Sequence, residues 1–132
     1  MGKHILFVDD DALLRRLVRD MLEQEGYDVS LASSGTEGLA YARSQLPDLI
    51  LLDLMMPGMD GFEVCQKIRR DRRLSAIPVV MLTAMKSSDL NTQALTAGAD
   101  LCVSKPFRQD TLLNAVTIAL QVAVIETRPR EM

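Results

Sequence analysis

The sequence has few of the residues that mark several protein classes. It contains no tryptophan, 4% aromatic residues, two cysteines and a single histidine among 132 residues. Cys65 and Cys102 lack metal-binding spacing, and two isolated thiols without a secretion signal favour a reducing, cytoplasmic location. The chain lacks an apolar run of the roughly 18 residues that a membrane-spanning helix needs. Its start, MGKHILFVDDD, does not resemble a signal peptide.

The charge balance argues against nucleic-acid binding by this segment. The formal net charge is −3, whereas domains that bind the phosphate backbone are usually basic. We therefore expect no direct contact with nucleic acid. Hydrophobic residues make up 48% of the chain and charged residues 25%, which is typical of a globular domain with its own core.

Short apolar runs alternate with helix-like segments along the whole chain. Strands are predicted at residues 4–9, 27–32, 48–53, 77–83 and 100–105, and helices at 12–26, 34–46, 61–71, 88–98 and 108–124. Strands that are apolar on both faces belong in a parallel sheet with helices on both sides. We predict an α/β fold with a doubly wound five-stranded parallel sheet. The predicted domain covers 1–125, and 126–132 is a tail or linker stub.

Polar side chains stand where the predicted strands end. Asp9 and Asp10 follow the first strand, Asp53 ends the third, Thr83 the fourth and Lys105 the fifth. The carboxyl ends of parallel strands meet at one edge, so these side chains should share a pocket. One lysine cannot neutralise three carboxylates, and Mg²⁺ prefers such oxygen ligands. A carboxylate beside Mg²⁺ could attack phosphorus and form an aspartyl phosphate.

Four pieces of the sequence carry a family resemblance. ILFVDDDALLR, LILLDLMMPGMDG, VVMLTA and VSKPF occur in that order, and together they resemble the receiver domain of two-component response regulators over about residues 3–122. The resemblance implies a flavodoxin-like fold and a phosphoryl group taken from a histidine kinase or a histidine phosphotransfer protein. It also implies a signalling switch that changes its partner preference and is not an enzyme, apart from catalysing its own phosphorylation and dephosphorylation.

The resemblance assigns the metal ligands and the phosphoryl acceptor. Asp53 matches the acceptor, and Asp9 and Asp10 match the acidic pair that binds the Mg²⁺ cofactor. Asp53 and the backbone carbonyl of Met55 match the remaining protein ligands of the ion.

The resemblance also assigns the residues that sense the phosphoryl group. Thr83 matches the switch hydroxyl, and Lys105 matches the lysine that pairs with phosphate and precedes a cis bond to Pro106. Receivers usually carry an aromatic residue three positions before this lysine, but here the residue is Cys102. A small thiol cannot swing as a ring does, so we expect intact phosphorylation with an altered readout.

Several conspicuous residues have structural explanations. Asp11 is expected to cap the first helix, and His4 to be a surface residue without a role in phosphoryl transfer. The basic run at 69–73 is expected to be the solvated end of a helix. Gly58 and Gly61 are expected to permit positive φ in the turn after Asp53.

Two other functions stay open at this point. A phosphatase of the haloacid-dehalogenase type would use Asp9 as the attacking carboxylate and Asp11 as the acid–base group. A pseudo-receiver would bind partners without phosphorylation, and Cys102 is the residue that keeps this alternative open.

The last predicted helix, 108–124, is unusually apolar. One face should cover the sheet, so the surplus predicts contact with a partner or a second copy in a homodimer. The downstream effector is not specified by the sequence. The chain is expected to be either a stand-alone receiver or part of a longer protein.

Overall fold

The structure is a computed structural model that describes residues 2–84 and 88–125. Five strands and five helices alternate along these residues. The strands are β1 (His4–Val8), β2 (Asp28–Ala32), β3 (Leu49–Asp53), β4 (Val79–Thr83) and β5 (Leu101–Ser104). The helices are α1 (Ala12–Gln24), α2 (Gly35–Gln45), α3 (Gly61–Arg70), α4 (Ser88–Thr96) and α5 (Gln109–Ile125). The predicted fold class is confirmed. The predicted tail at 126–132 lies outside the described residues.

All strand pairs in the sheet are parallel, in the order β2-β1-β3-β4-β5. The strand order reverses at β1 and β3, and such a switch point opens a crevice at the carboxyl ends of the strands. The register pairs Val8 with Leu52, so that Asp9 follows β1 beside the end of β3. The topology thereby places Asp9 and Asp53 at the same edge.

The sheet is apolar on both faces because helices cover both. Alternate strand residues point to opposite faces. The face under α1 and α5 contains Ile5, Phe7, Leu49, Leu51, Val80 and Leu82, packed with Val18, Leu22, Leu112 and Val116. The face under α2, α3 and α4 contains Leu6, Val8, Ile50, Leu52, Val79 and Met81, packed with Leu39, Val64, Ile68 and Ala94. Burial of a large aliphatic side chain contributes about 1.5–3 kcal/mol, so these two layers hold the strand ends rigidly.

Side-chain caps from Asp11, Ser34 and Asp60 fix where α1, α2 and α3 begin near the carboxyl edge of the sheet. Asp11 Oδ1 accepts hydrogen bonds from the Leu13 and Leu14 amides at 3.0 and 3.1 Å, as the predicted cap requires. Asp60 caps α3 in the same way and accepts from the Glu63 amide at 3.0 Å. These caps define the loops that follow β1 and β3.

The two glycines after Asp53 serve different purposes. Gly58 has φ +76°, as predicted for a turn glycine. The prediction of positive φ at Gly61 is wrong, since Gly61 is the first residue of α3 and is absent from the positive-φ positions in the described residues. A Cβ at Gly61 would lie 2.6 Å from the Asp53 carbonyl oxygen and 2.8 Å from Leu54 Cα. The missing side chain therefore lets α3 start against the backbone of β3.

The predicted solvated basic run contains one arginine that is largely buried. Arg69 Nε donates to the Gly98 carbonyl at 2.8 Å, and Nη1 donates to the Ile77 carbonyl at 2.7 Å. Its Nη2 pairs with Asp100 Oδ2 at 2.9 Å, and both side chains are about 15% exposed or less. The prediction is wrong for Arg69 because backbone carbonyls in the loops before β4 and β5 recruit its guanidinium.

His4 is partly buried and hydrogen-bonded, whereas the sequence predicted a surface residue. Its ring is half-buried, and Nε2 lies 2.9 Å from Ser30 Oγ and 3.2 Å from Tyr41 Oη. It sits at the amino end of β1, opposite the edge that holds Asp9 and Asp53.

In the part of the chain that the structure describes, no helix combines the length and apolar character needed to cross a bilayer.

Candidate active site

Three carboxylates converge at the carboxyl ends of β1 and β3. One carboxylate oxygen from each of Asp9, Asp10 and Asp53 lies within 4.8 Å of the others. Asp9 and Asp53 are buried, whereas Asp10 is exposed. The structure therefore brings together the acidic residues that the sequence placed at separate strand ends.

Lys105 links the first and third strands to the fifth. Its Nζ donates to Asp9 Oδ2 at 2.9 Å and to Asp53 Oδ1 at 3.0 Å. The Lys105 amide donates to the Thr83 carbonyl at 2.6 Å, which continues the β4–β5 pairing past Ser104. The Lys105–Pro106 peptide bond is cis, as the resemblance implied.

Asp9 is fixed through both its backbone and its side chain. Its amide donates to the Ala32 carbonyl at 3.0 Å, and its Oδ1 accepts from the Asp11 amide at 2.9 Å. Arg15 Nη1 donates to the Asp9 carbonyl at 2.7 Å. Sequence reasoning missed Arg15, although its position in the first turns of α1 was a usable signal. Helical side chains lean toward the amino end of their helix, which here is the turn containing Asp9.

Burial and neighbouring charges set the protonation of Asp53. Burial raises the pKa of Asp53 most, the hydrogen bond from Lys105 lowers it, and the charge of Asp9 raises it further, to about 6. Burial by itself lowers the pKa of Lys105, but hydrogen bonds to Asp9 and Asp53 hold that pKa above its usual value. The ammonium is therefore a permanent part of the site at neutral pH.

The donor set fits a hard divalent cation. Three carboxylates face one ammonium, which leaves an excess of negative charge, and carboxylate oxygens suit Mg²⁺. Exposure of Asp10 leaves the cluster open to water, which Mg²⁺ commonly retains as a ligand. Met55 lies in the loop after β3 with its residue 58% exposed, and its backbone carbonyl remains a predicted ligand.

Thr83 and Cys102 lie on the neighbouring strands β4 and β5. Thr83 is buried at the end of β4, one residue beyond Leu82, which pairs with Asp53. Cys102 is half-buried in β5, pairs with Met81 and packs against the α2–α4 face of the core. Burial raises the pKa of the Cys102 thiol. The usual aromatic position thus carries a small, neutral side chain.

Comparison with known proteins identifies the family. Residues 5–117 match the family model of the response regulator receiver domain. The chain belongs to this family. It is 46% identical over 117 residues to the DNA-binding dual master transcriptional regulator RpaA of Synechocystis, a match that covers 89% of this chain and 48% of RpaA. It is 41% identical over 121 residues to the DNA-binding response regulator MtrA of Mycobacterium tuberculosis, covering 92% of this chain and 52% of MtrA.

Solved structures of receiver domains share the fold. The chemotaxis protein CheY4 of Vibrio cholerae superposes with a TM-score of 0.86 and 33% identity, covering 90% of this chain and 99% of that chain. The receiver domain of the sensor histidine kinase PA1611 of Pseudomonas aeruginosa gives 0.85 and 28%, covering 92% and 99%. A magnesium ion is coordinated in the active site cleft of the PA1611 domain.

The receiver domain is the phosphoacceptor module of two-component signal transduction, so the predicted class of function is confirmed. Receiver domains interact with histidine kinases and effector domains and bind Mg²⁺ in their active sites. The phosphatase alternative receives no support, because the family match is to receivers and because Lys105 and the Asp11 amide engage the carboxylate of Asp9.

The chain spans about half the length of the curated relatives RpaA and MtrA. It matches 29% of the response regulator PleD of Caulobacter vibrioides, with 42% identity over 134 aligned positions. The prediction that the protein is not an enzyme is wrong, because homologues such as PleD are enzymatic. The match between this chain and PleD concerns the receiver domain alone. The prediction of no direct nucleic-acid contact stays a prediction, since RpaA and MtrA are DNA-binding proteins.

Proposed function

We propose that Asp53 is the phosphoryl acceptor of this receiver domain. The observation that carries the proposal is the position of its carboxylate, 3.0 Å from Lys105 Nζ and within the 4.8 Å cluster that includes Asp9 and Asp10. The donor is the phosphohistidine of a histidine kinase or of a histidine phosphotransfer protein. An Asp53 oxygen forms the new bond to phosphorus while the phosphorus–nitrogen bond breaks, and the electron pair stays on the imidazole nitrogen.

The chain's own residues orient and neutralise the reacting groups. Asp53 ends a fully buried strand, so its backbone is held in place while the donor approaches. Lys105 already donates to Asp53 Oδ1 and is placed to pair with a phosphoryl oxygen as negative charge develops there. Deprotonated Asp53 is the nucleophile, and a pKa of about 6 leaves it mostly ionised at neutral pH.

Asp9, Asp10, Asp53 and the Met55 carbonyl are the proposed Mg²⁺ ligands. Bound Mg²⁺ supplies charge neutralisation to the carboxylates and the phosphoryl oxygens. The buried Asp9 and the exposed Asp10 suit this task, since one ligand is held rigidly while the other leaves room for water and substrate.

Thr83 is the proposed sensor of the phosphoryl group. Its hydroxyl, at the end of β4, is proposed to donate a hydrogen bond to a phosphoryl oxygen and shift the domain between two states. Cys102 replaces the usual aromatic partner, so the readout is proposed to use α4 and the loop after Thr83, or a different partner face. Amide exchange with and without beryllofluoride tests this idea. Changes confined to the loops around Asp53 would contradict a transmitted switch.

The proposal also covers the bounds of the domain, its partners and its cellular location. Residues 1–125 form the receiver domain, and an effector domain or protein of unspecified kind responds to it. A cytoplasmic location is part of the proposal, because two isolated cysteines without metal-binding spacing favour a reducing compartment. A homodimer through α5 and the absence of direct nucleic-acid contact are part of the same proposal.

Intact-mass measurement after incubation with acetyl phosphate and Mg²⁺ tests the acceptor. The native chain should gain one phosphoryl group, and Asp53→Asn should gain none. Asp28→Asn is the matched control, because it removes an exposed carboxylate from β2 at the opposite edge of the sheet. Added EDTA should abolish the adduct. A native chain without an adduct that also fails to bind beryllofluoride would support the pseudo-receiver alternative and direct attention to Cys102.

A further inference from the structure

The Arg15 side chain reaches back from α1 to the backbone of Asp9. Its Nη1 donates to the Asp9 carbonyl oxygen at 2.7 Å, and the side chain is half-buried. Asp9 follows the last residue of β1, where a carbonyl needs a donor from outside the strand or from water. A charge-assisted bond from a guanidinium is stronger than a neutral one and more directional than a bond from water.

Arg15 is tied to the same turn through its own backbone. The Arg15 amide donates to the Asp11 carbonyl at 3.0 Å, while Asp11 Oδ1 caps the start of α1. The Asp11 amide donates in turn to Asp9 Oδ1 at 2.9 Å. Arg15 thus contacts the backbone of the turn at both of its ends, at the Asp9 carbonyl and at the Asp11 carbonyl. The turn that carries the two metal-ligand candidates is held from both sides.

We infer that Arg15 is a positioning residue for the acidic site. It acts through the Asp9 backbone and holds the turn so that the Asp9 and Asp10 carboxylates converge with Asp53. The inference rests on the proposed Mg²⁺ site. Groups that orient metal ligands typically change metal affinity about 10- to 100-fold when they are removed.

Charge and geometry predict opposite effects of removing Arg15. A cation near three carboxylates repels Mg²⁺, so loss of the charge alone should tighten Mg²⁺ binding. Loss of the hydrogen bond to the Asp9 carbonyl should loosen the turn and weaken binding. The sign of the change therefore separates a positioning residue from a nearby charge.

The experiment measures the Mg²⁺ dissociation constant by isothermal titration for the native chain and three variants. Arg15→Met should weaken binding about tenfold or more. Arg16→Met removes an exposed charge from the next residue and should change binding less than about twofold. Arg69→Met removes buried hydrogen bonds on α3, away from the acidic cluster, and should lower stability while leaving Mg²⁺ affinity unchanged.

Each outcome decides the inference. Unchanged or tighter Mg²⁺ binding in Arg15→Met overturns it, and equal weakening in Arg69→Met reduces the effect to general destabilisation. The titration of the native chain alone tests the proposed metal site. If the native chain binds no Mg²⁺, both the metal site and the inference are overturned. If Arg15→Met does not fold, Arg15→Lys is measured against the same criterion, because a lysine keeps the charge and loses the fork geometry.

Discussion

Lys105 and Asp53, the last residue of β3, are joined by a hydrogen bond of 3.0 Å between Nζ and Oδ1. The two residues are 52 positions apart in the chain, and the contact connects the end of the third strand with the loop after the fifth. The same ammonium lies 2.9 Å from Asp9 Oδ2, so a single cation holds two buried carboxylates in place.

Lys105→Met should raise the pKa of Asp53 above about 6, because the substitution removes a hydrogen bond and a positive charge that both lower it. Labelling by acetyl phosphate should slow on the order of a hundredfold, the usual cost of losing one donor to a developing anion. Carboxyl ¹³C shifts followed against pH measure the pKa, and intact mass measures labelling. Lys3→Met, an exposed lysine at the amino end of β1, is the control. An unchanged Asp53 pKa would contradict the assigned role of Lys105.

Asp53→Asn should stabilise the metal-free chain at pH 8. The pKa of Asp53 lies near 6 in the folded state, whereas that of an unperturbed aspartate is near 3.8, so the folded state binds more protons between these pH values. Stability therefore falls as pH rises from about 4 to about 6, and the cost persists above pH 6. The shift corresponds to at most about 3 kcal/mol. Urea unfolding in EDTA should show an advantage for Asp53→Asn at pH 8 that shrinks toward pH 4. An equal advantage at both pH values would refute the electrostatic origin.

Gly61→Ala should disturb Asp53 more than Gly58→Ala does. A Cβ at Gly61 would meet the Asp53 carbonyl oxygen at 2.6 Å and Leu54 Cα at 2.8 Å, both backbone atoms that move at a cost of about 1–3 kcal/mol. A Cβ at Gly58 would meet nothing within 4 Å, although its φ of +76° costs about 1 kcal/mol. Thermal unfolding compares the two stabilities, and the Asp53 amide shift reports local displacement. Equal displacement in both variants would contradict the close-approach explanation.

Arg69→Met should destabilise the fold by about 3 kcal/mol, within the range found when one partner of a buried ion pair is removed. The substitution deletes the 2.9 Å pair with Asp100 and the hydrogen bonds to the Gly98 and Ile77 carbonyls. Arg72→Met, in the same basic run but exposed, should change stability by less than about 0.5 kcal/mol. Urea unfolding measures both. Similar small effects in the two variants would restore the original prediction of a solvated run.

Ile118→Glu should reduce self-association if α5 mediates a homodimer. Ile118 is 49% exposed and Val122 is 37% exposed, whereas Leu112 and Val116 on the same helix are fully buried against the sheet. Sedimentation equilibrium at high concentration compares the native chain with the variant. Leu13→Glu, at an exposed leucine of α1, is the control. A native chain that stays monomeric at high concentration would end the homodimer proposal.

The strand–helix order and the identity of the acidic residues followed from local patterns. Apolar runs end in Asp9, Asp53 and Lys105, and parallel strands bring their carboxyl ends to one edge whatever the details of packing. Helix caps such as Asp11 are equally local, because the donor amides lie two and three residues away. These features were predictable since each depends on a few neighbouring residues or on a single topological rule.

Tertiary structure decided the contacts between side chains and distant backbone. Arg69 meets Asp100 across 31 positions, and the carbonyls that recruit its guanidinium carry no sequence signal because every residue has one. The Asp9 carbonyl that accepts from Arg15 is equally unmarked in the sequence, and only the position of Arg15 in the first turns of α1 pointed to that contact. Gly61 was assigned to the wrong cause because a close approach between α3 and β3 is visible only after packing. The sequence by itself determined which groups gather at the carboxyl edge, and only the tertiary structure decided what holds them there.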